Sequence, residues 1–399
     1  MAKEGLRYAL IGLAWLLLCP LLALPYIVWG IYQQRRGAML LFSLLLGIFA
    51  YISFPSEDLY RHYFIYTFLA VRPISTIGWV DITLNGMIPY VYWVMSHTGI
   101  TFGWIRFTEL TLGFYLFSRV FSFLMDQQSY SKKERFMRFI LFFLFFDFLY
   151  TTMGVKFGFA LCLYIYGLHQ LINLGNMKTG AFWILFCCCW HASFVFTVPV
   201  IFVFYRLQLS RTKALWLCFA LAVITPIVIH FAGSMLLGRR FDFYFSKKAD
   251  DVASYAAMTK IGLALYILPK LTVVPLAVIL LKHYTTDSKW SRIALGWLIL
   301  AVALMSNAVT FYRFWWAFMS VGIIAFLELE MKTAIPRQAL QTLIVAGICF
   351  TCLNMTTYHK EVMHSPYYKS LWPAPLVLSQ DYDKQVVYYK IQHDGDFRK

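Results

Sequence analysis

Apolar runs about as long as a bilayer is thick follow one another along this chain with only short polar breaks. Residues 8–32 contain no Asp, Glu, Lys or Arg, and neither do residues 179–205. At 1.5 Å per residue, a helix needs about 20 such residues to cross the hydrocarbon core. Further runs lie at 38–54, 101–125, 137–155, 157–175, 213–233, 259–281, 290–309, 314–331 and 338–355. The runs are continuous and do not alternate in polarity, which excludes a β-barrel. Of 399 residues, 14% are charged and 60% hydrophobic, whereas an average soluble domain carries about 25% charged residues. That is too little charge to clothe a soluble surface. The chain reads as an all-α polytopic integral membrane protein with about 11 transmembrane helices, a re-entrant or broken segment and an interfacial helix. The broken segment is 179–206, which is overlong and holds His191 at its middle with Pro199 beyond it. Residues 8–32 resemble a signal peptide but are long for one, and are read as a retained first span.

The net charge of +16 suits basic cytoplasmic loops and anionic lipid-linked ligands better than nucleic acid in so apolar a chain. Arg35 and Arg36; Lys132, Lys133, Arg135 and Arg138; Arg206, Arg211 and Lys213; and Lys282, Lys289 and Arg292 lie in short loops. The positive-inside rule places those loops in the cytoplasm. The alternation then puts the N-terminus outside, with Lys3 and Arg7 on it, against the same rule. The outer face receives 55–100, the turn at 155–156, the His191 tip, 234–258, the turn at 310–313 and the tail. Residues 1–355 are read as one transmembrane domain carrying outer loops 55–100 and 234–258, and 356–399 as a polar periplasmic tail. Segment 82–98 has the look of an interfacial helix. All eight cysteines lie in apolar stretches and are read as small buried residues; Cys349 and Cys352 have no second pair that would make a metal site.

Basic residues on the outer side stand against the charge rule and call for a reason. Arg313, in Tyr312-Arg313-Phe314-Trp315-Trp316, sits between two apolar runs with almost no loop; Lys156 is placed similarly; Arg239 and Arg240 are adjacent in loop 234–258. A charge at such depth is a functional hypothesis by default. Cations converging on one face suit a diphosphate, which Arg grips bidentately. Glu57, Asp58, Tyr60, Arg61, His62 and Tyr63 form a second cluster directly after a span. An acid at the interface can act as a general base, and the tyrosines and arginine can bind sugar hydroxyls or phosphate. His191 is a lone imidazole in an apolar segment, within Trp190-His191-Ala192-Ser193. Glu109, Asp147 and Glu328 are acids within spans, too few for the relay of a proton pump. The chain has no phosphate-binding loop, dinucleotide fingerprint or nucleophile elbow.

Taken in order, Asp58-Leu59-Tyr60-Arg61-His62-Tyr63, the interfacial helix, Gly154-Val155-Lys156-Phe157-Gly158, Trp190-His191-Ala192-Ser193 and the late Arg313 resemble the EpsG/Wzy-like polysaccharide polymerases. The ordered set spans about 38 to 370, and each motif alone is weak. One departure is Lys156, where the family usually has Arg; the charge is kept and the bidentate fork is lost. The resemblance implies a GT-C-like fold in the bacterial inner membrane. It implies an enzyme joining undecaprenyl diphosphate-linked oligosaccharide repeat units at the periplasmic face, by block transfer of the growing chain to a new lipid-linked unit. It further implies no cofactor or metal, membrane lipids as surroundings, and a chain-length regulator as a protein partner. His191, Asp58 and Arg313 are then the candidate catalytic residues. Arg61, Lys156, Arg239, Arg240, Tyr60, Tyr63, Glu57 and Tyr312 are candidates for holding diphosphate or sugar. Two other readings stay open on the residues: an O-antigen ligase or other GT-C lipid-sugar glycosyltransferase, and a lipid-linked sugar transporter or flippase. The polymerase reading expects residues 55–63, 156, 191, 239–240 and 313 around one outward-facing cavity.

Overall fold

A computed structural model describes residues 2–53, 57–78, 86–153, 155–225, 227, 260–357 and 365–381. Among them the regular elements are helices, without a strand. The chain divides into two compact units. The first comprises Met1–Met137, Phe148–Ala192 and Tyr358–Lys399; the second comprises Arg138–Asp147 and Ser193–Thr357.

The first unit opens with a hairpin where the sequence suggested one span. Helix α1 (Ala2–Leu18) and helix α2 (Pro20–Tyr32) meet at Cys19, whose backbone is extended at φ −160° and ψ 94°. Proline disfavours the helical conformation in the residue before it, and at the first helical position its missing N–H does no harm. The chain therefore turns back, and the Tyr8 and Tyr26 rings stack at 4.8 Å. Uniform apolarity conceals this reversal, because both arms are equally hydrophobic. The N-terminal end comes to rest beside the basic loop, where Glu4 lies 3.7 Å from Arg35. Lys132 donates to Gln33 in the same region. The N-terminus thus shares an end with the basic residues Arg35 and Lys132, which removes the conflict with the charge rule.

Helix α3 (Ala38–Ile52) packs on α6 (Gly103–Asp126), with Phe42 edge-on to Phe114 at 5.4 Å. The C-terminal carbonyls of α3 would be orphaned in a buried setting. Arg106, 2% exposed, donates to the Tyr51 and Ser53 carbonyls and so closes that helix end. Helix α4 (Glu57–Leu69) and helix α5 (Ile88–His97) pack against each other nearby. The tail contributes a 3₁₀ turn (Tyr367–Leu371) and a short helix (Ala374–Leu378). It seats on the end of α2 and α3: the Tyr51 hydroxyl lies 2.9 Å from the Leu378 carbonyl, and Ser53 Oγ lies 2.9 Å from the Tyr367 hydroxyl.

Past α6, helix α7 (Lys132–Leu144) and the short α8 (Phe148–Met153) replace the single span read at 137–155. The break is at Asp147, whose φ of 50° no helix interior adopts. Helices α9 (Val155–Ile172) and α10 (Met177–Trp190) pair closely. A Cβ on Gly167 would meet Ile184 Cγ1 at 2.8 Å and the Gly180 carbonyl at 3.1 Å, so a larger residue would push the two helices apart. Asn176 caps α10 by accepting from the Thr179 amide at 3.2 Å. The expected break in 179–206 is present: α10 ends at Trp190 and α11 (Ser193–Leu207) starts three residues later, in the other unit.

The second unit continues with α12 (211–225), α13 (Lys260–Leu271), α14 (Val274–His283), α15 (Lys289–Ala303), α16 (Ala308–Lys332) and α17 (Arg337–Thr357). Its core is the α15–α16 pair, with Trp290, Trp297 and Trp316 fully buried. Glu328 accepts from Ser288 Oγ at 2.6 Å and the Trp290 amide at 2.9 Å, and pairs with Lys332 at 2.8 Å. This acid is a structural cap on the start of α15. Arg138 and Glu330 form a second ion pair of low exposure.

Three described stretches are individually long and apolar enough to cross a membrane: Gly262–His283, Thr310–Lys332 and Arg337–Thr356. Pro20–Tyr32, Ala38–Ile52, Met177–Trp190 and Ser193–Leu207 are shorter apolar helices. The protein is an all-helical integral membrane protein whose long apolar runs are in several places divided by breaks.

Candidate functional site

In the first unit, Lys156 and His191 come to one end of the α9–α10 pair. Lys156 stands in the first turn of α9, where the aligned peptide dipoles add positive potential. His191 ends α10 in extended backbone at φ −136° and ψ 108°, with its amide donating to the Cys187 carbonyl at 2.9 Å. Its ring stands edge-on to Phe157, the neighbour of Lys156, at 5.4 Å. One residue back, Trp190 Nε1 donates to Glu109 Oε1 at 2.8 Å, and the Lys156 charge acts on the same carboxyl. An acid buried among apolar helices needs such partners. The result is a cluster of ammonium, imidazole, indole and carboxyl groups.

Beside it lies a cavity of roughly 480 Å³ lined by Val91, Met95, Ile100, Trp104, Ile105, Thr108, Glu109, Leu112, Phe159, Phe186 and Trp190. Two polar side chains among those walls suit an apolar or aromatic-stacking ligand with one hydrogen-bonding point. The start of α5 is fastened to this corner. The Met87 amide donates to the Cys189 carbonyl at 2.9 Å. Gly86, at φ 65°, lies so close to that carbonyl that a Cβ would be 2.3 Å from it. Only glycine allows both the conformation and the approach.

The acidic-aromatic cluster after the second run is helical, since Glu57, Asp58, Tyr60 and Arg61 belong to α4. The side chains of these four lie outside the described set, as do all of Arg239 and Arg240. Tyr63, 7% exposed, packs edge-on to Phe102 at 5.7 Å, in an aromatic group with Tyr66 and Tyr92. Its buried ring is part of what holds α4 to α5 and the start of α6.

Tyr312 and Arg313 belong to the second unit, half-buried in the second turn of α16, whose start Asn307 caps through the Thr310 amide at 2.9 Å. The Tyr312 hydroxyl donates to Asp147 Oδ2 at 3.4 Å, and Asn354 Nδ2 donates to the same oxygen at 3.1 Å. The Lys270 ammonium lies 3.2 Å from the centre of the Tyr266 ring and 4.3 Å from that of Tyr312. Lys270 and Asn354 were not among the residues singled out in the sequence. Lys270 had a legible signal, being a lysine in the interior of the run 259–281, where a charge is as much a functional hypothesis as Arg313 is. Asn354 had none.

No curated protein and no solved structure matches this chain. Residues 88–373 match the EpsG family. The matched region holds Lys156, His191, Tyr312 and Arg313, and begins beyond the 57–63 segment. It covers well over half of the sequence, and the helical, membrane-embedded fold agrees with it. The protein therefore belongs to the EpsG family of polysaccharide polymerase-type membrane proteins.

Proposed function

We propose that the protein polymerises undecaprenyl diphosphate-linked oligosaccharide repeat units at the periplasmic face of the bacterial inner membrane, passing the growing chain as a block to each new unit. The observation that carries this reading is the Lys156–His191 cluster: a cation at a helix start and an imidazole at a helix end, within the family-matched region. The basic residues Arg35, Lys132 and Arg135 of the first unit and the N-terminus lie near the Asp126 end of α6, while Glu109 and Trp190 lie toward its opposite half. The positive-inside rule then favours an outward orientation for the cluster.

The acceptor sugar hydroxyl attacks the anomeric carbon of the donor, and the bond from that carbon to the diphosphate oxygen breaks. The lipid diphosphate leaves with the electron pair and needs neutralisation more than a proton. Arg313 supplies it, with Lys156, Arg239, Arg240 and Arg61 as further cations. His191, or else Asp58, takes the proton of the attacking hydroxyl. Glu57, Tyr60, Tyr63 and Tyr312 are the remaining sugar or diphosphate contacts of this reading. A chain-length regulator is the protein partner it expects.

The test in cells is a deletion strain complemented with variants. Loss of the protein leaves single repeat units on the lipid carrier, facing the periplasm. The wild type restores long chains; His191→Ala and Arg313→Ala, present at normal levels in the membrane, leave single units. Long chains accumulating on the carrier in the deletion strain would point to a ligase, and units trapped on the cytoplasmic face to a flippase.

A further inference from the structure

Asp147, Lys270 and Asn354 in the second unit have no part in the reaction described above, yet they are among its most buried polar side chains, at 5%, 7% and 3% exposure. Lys270 stands in an apolar run whose helices are long enough to cross the bilayer. Its ammonium donates to the Tyr266 carbonyl and faces the Tyr266 and Tyr312 rings, a cation–π arrangement that partly replaces lost water. The acid that acts on it electrostatically is Asp147. Asp147 sits at the positive-φ break after α7 and gathers hydrogen bonds from α16, through Tyr312, and from α17, through Asn354. Three helices and the break are thus tied at one carboxyl and one ammonium.

Tyr312 is where these ties converge. Its hydroxyl is held by Asp147 and its ring face by Lys270, so both its position and its rotation about the helix axis are determined. Adjacent helical residues point about 100° apart. Fixing Tyr312 therefore fixes the bearing of Arg313. We infer that Asp147 and Lys270, with Asn354, are positioning residues that aim Arg313 at the leaving diphosphate of the lipid-linked donor. This rests on the polymerase reading for the role of Arg313. A buried pair kept only for stability is commonly replaceable by apolar residues of similar volume, whereas removing one partner strands the other charge. That difference separates the two roles.

The experiment uses the purified full chain in lipid nanodiscs. The variants are Asp147→Asn/Lys270→Met, which removes both charges together, and Asn354→Ala, which keeps both. Thermal unfolding checks folding, and polymer formation from the lipid-linked repeat unit reads function. Misplacement of a reacting group by about 1 Å costs on the order of 100-fold in rate. The double variant is expected to unfold near the wild-type temperature and to lose about that factor in kcat with KM little changed. Adding Arg313→Ala to it should cost little more, because both changes remove the same contribution. Asn354→Ala should lower kcat by about tenfold, a partial loss of the same aim. Wild-type turnover in a folded double variant, or in Asn354→Ala should the double variant not fold, overturns the inference. Should the wild type form no polymer, the polymerase reading fails. The inference is then decided by binding of undecaprenyl diphosphate: about tenfold weaker in the same variants sustains it, and unchanged affinity overturns it.

Discussion

Glu109 in the first unit and Asp147 in the second are both buried among apolar helices, and they are held in contrasting ways. Glu109 accepts one hydrogen bond from a neutral indole and borders a cavity, with Lys156 acting on it through space. Asp147 takes bonds from Asn354 and Tyr312, has Lys270 acting on it through space, and stands at a backbone break. The first arrangement leaves a group that can meet a ligand. The second immobilises its surroundings. In a low-dielectric interior a paired charge is rigid because every alternative geometry strands it. The two acids, which look alike in the sequence, thus mark the wall of a cavity and a place that holds the frame.

The largest expected effect probes the rigid side of this contrast. Lys270→Met removes the buried ammonium whose charge acts on Asp147 and should destabilise the protein by about 3–5 kcal/mol. This would be read as a large fall in unfolding temperature and in membrane yield. Next comes the first unit. Trp190→Phe removes the indole donor to Glu109 and should cost about 1–3 kcal/mol, accompanied by loss of polymerisation as His191 shifts. A thermal shift for Trp190→Phe exceeding that of Lys270→Met would reverse the comparison. Gly86→Ala forces a left-handed non-glycine residue against the Cys189 carbonyl, worth about 1–2 kcal/mol in conformation alone. It should detach α5 from the cavity, measurable as faster protease cleavage near residue 86. The smallest effect belongs to Arg35→Ala at the exposed pair with Glu4, expected to change stability by less than about 1 kcal/mol. Its unfolding curve should overlay that of the wild type.

Much of this fold is visible in the residues alone. The runs at 38–54, 101–125, 157–175, 290–309 and 338–355 reappear as α3, α6, α9, α15 and α17 with ends shifted by a few residues. The odd length of 179–206 pointed correctly to a break at His191. Reversals inside uniformly apolar stretches were not legible. The turn at Cys19 depends on the backbone restriction before Pro20, a local effect that hydropathy does not register. The division of 137–155 depends on Asp147 adopting positive φ, and the ligands that hold it there come from 165 and 207 residues further along the chain. The site divides in the same way. Lys156, His191 and Arg313 stood out because they break apolar runs. Glu109 was noticed only as an isolated acid, since its partner is an indole and indoles are everywhere in this chain. Lys270 carried the same signal as Arg313, a charge inside an apolar run, and was passed over.

The most direct measurement is polymerisation by the purified protein supplied with its own strain's lipid-linked repeat unit, resolved by length beside Arg313→Ala and His191→Ala variants shown to be folded. The account predicts a ladder spaced by one repeat unit, formed without nucleotide and lost in both variants. A folded wild type that leaves verified substrate as single units would contradict it, as would a ladder that survives both substitutions.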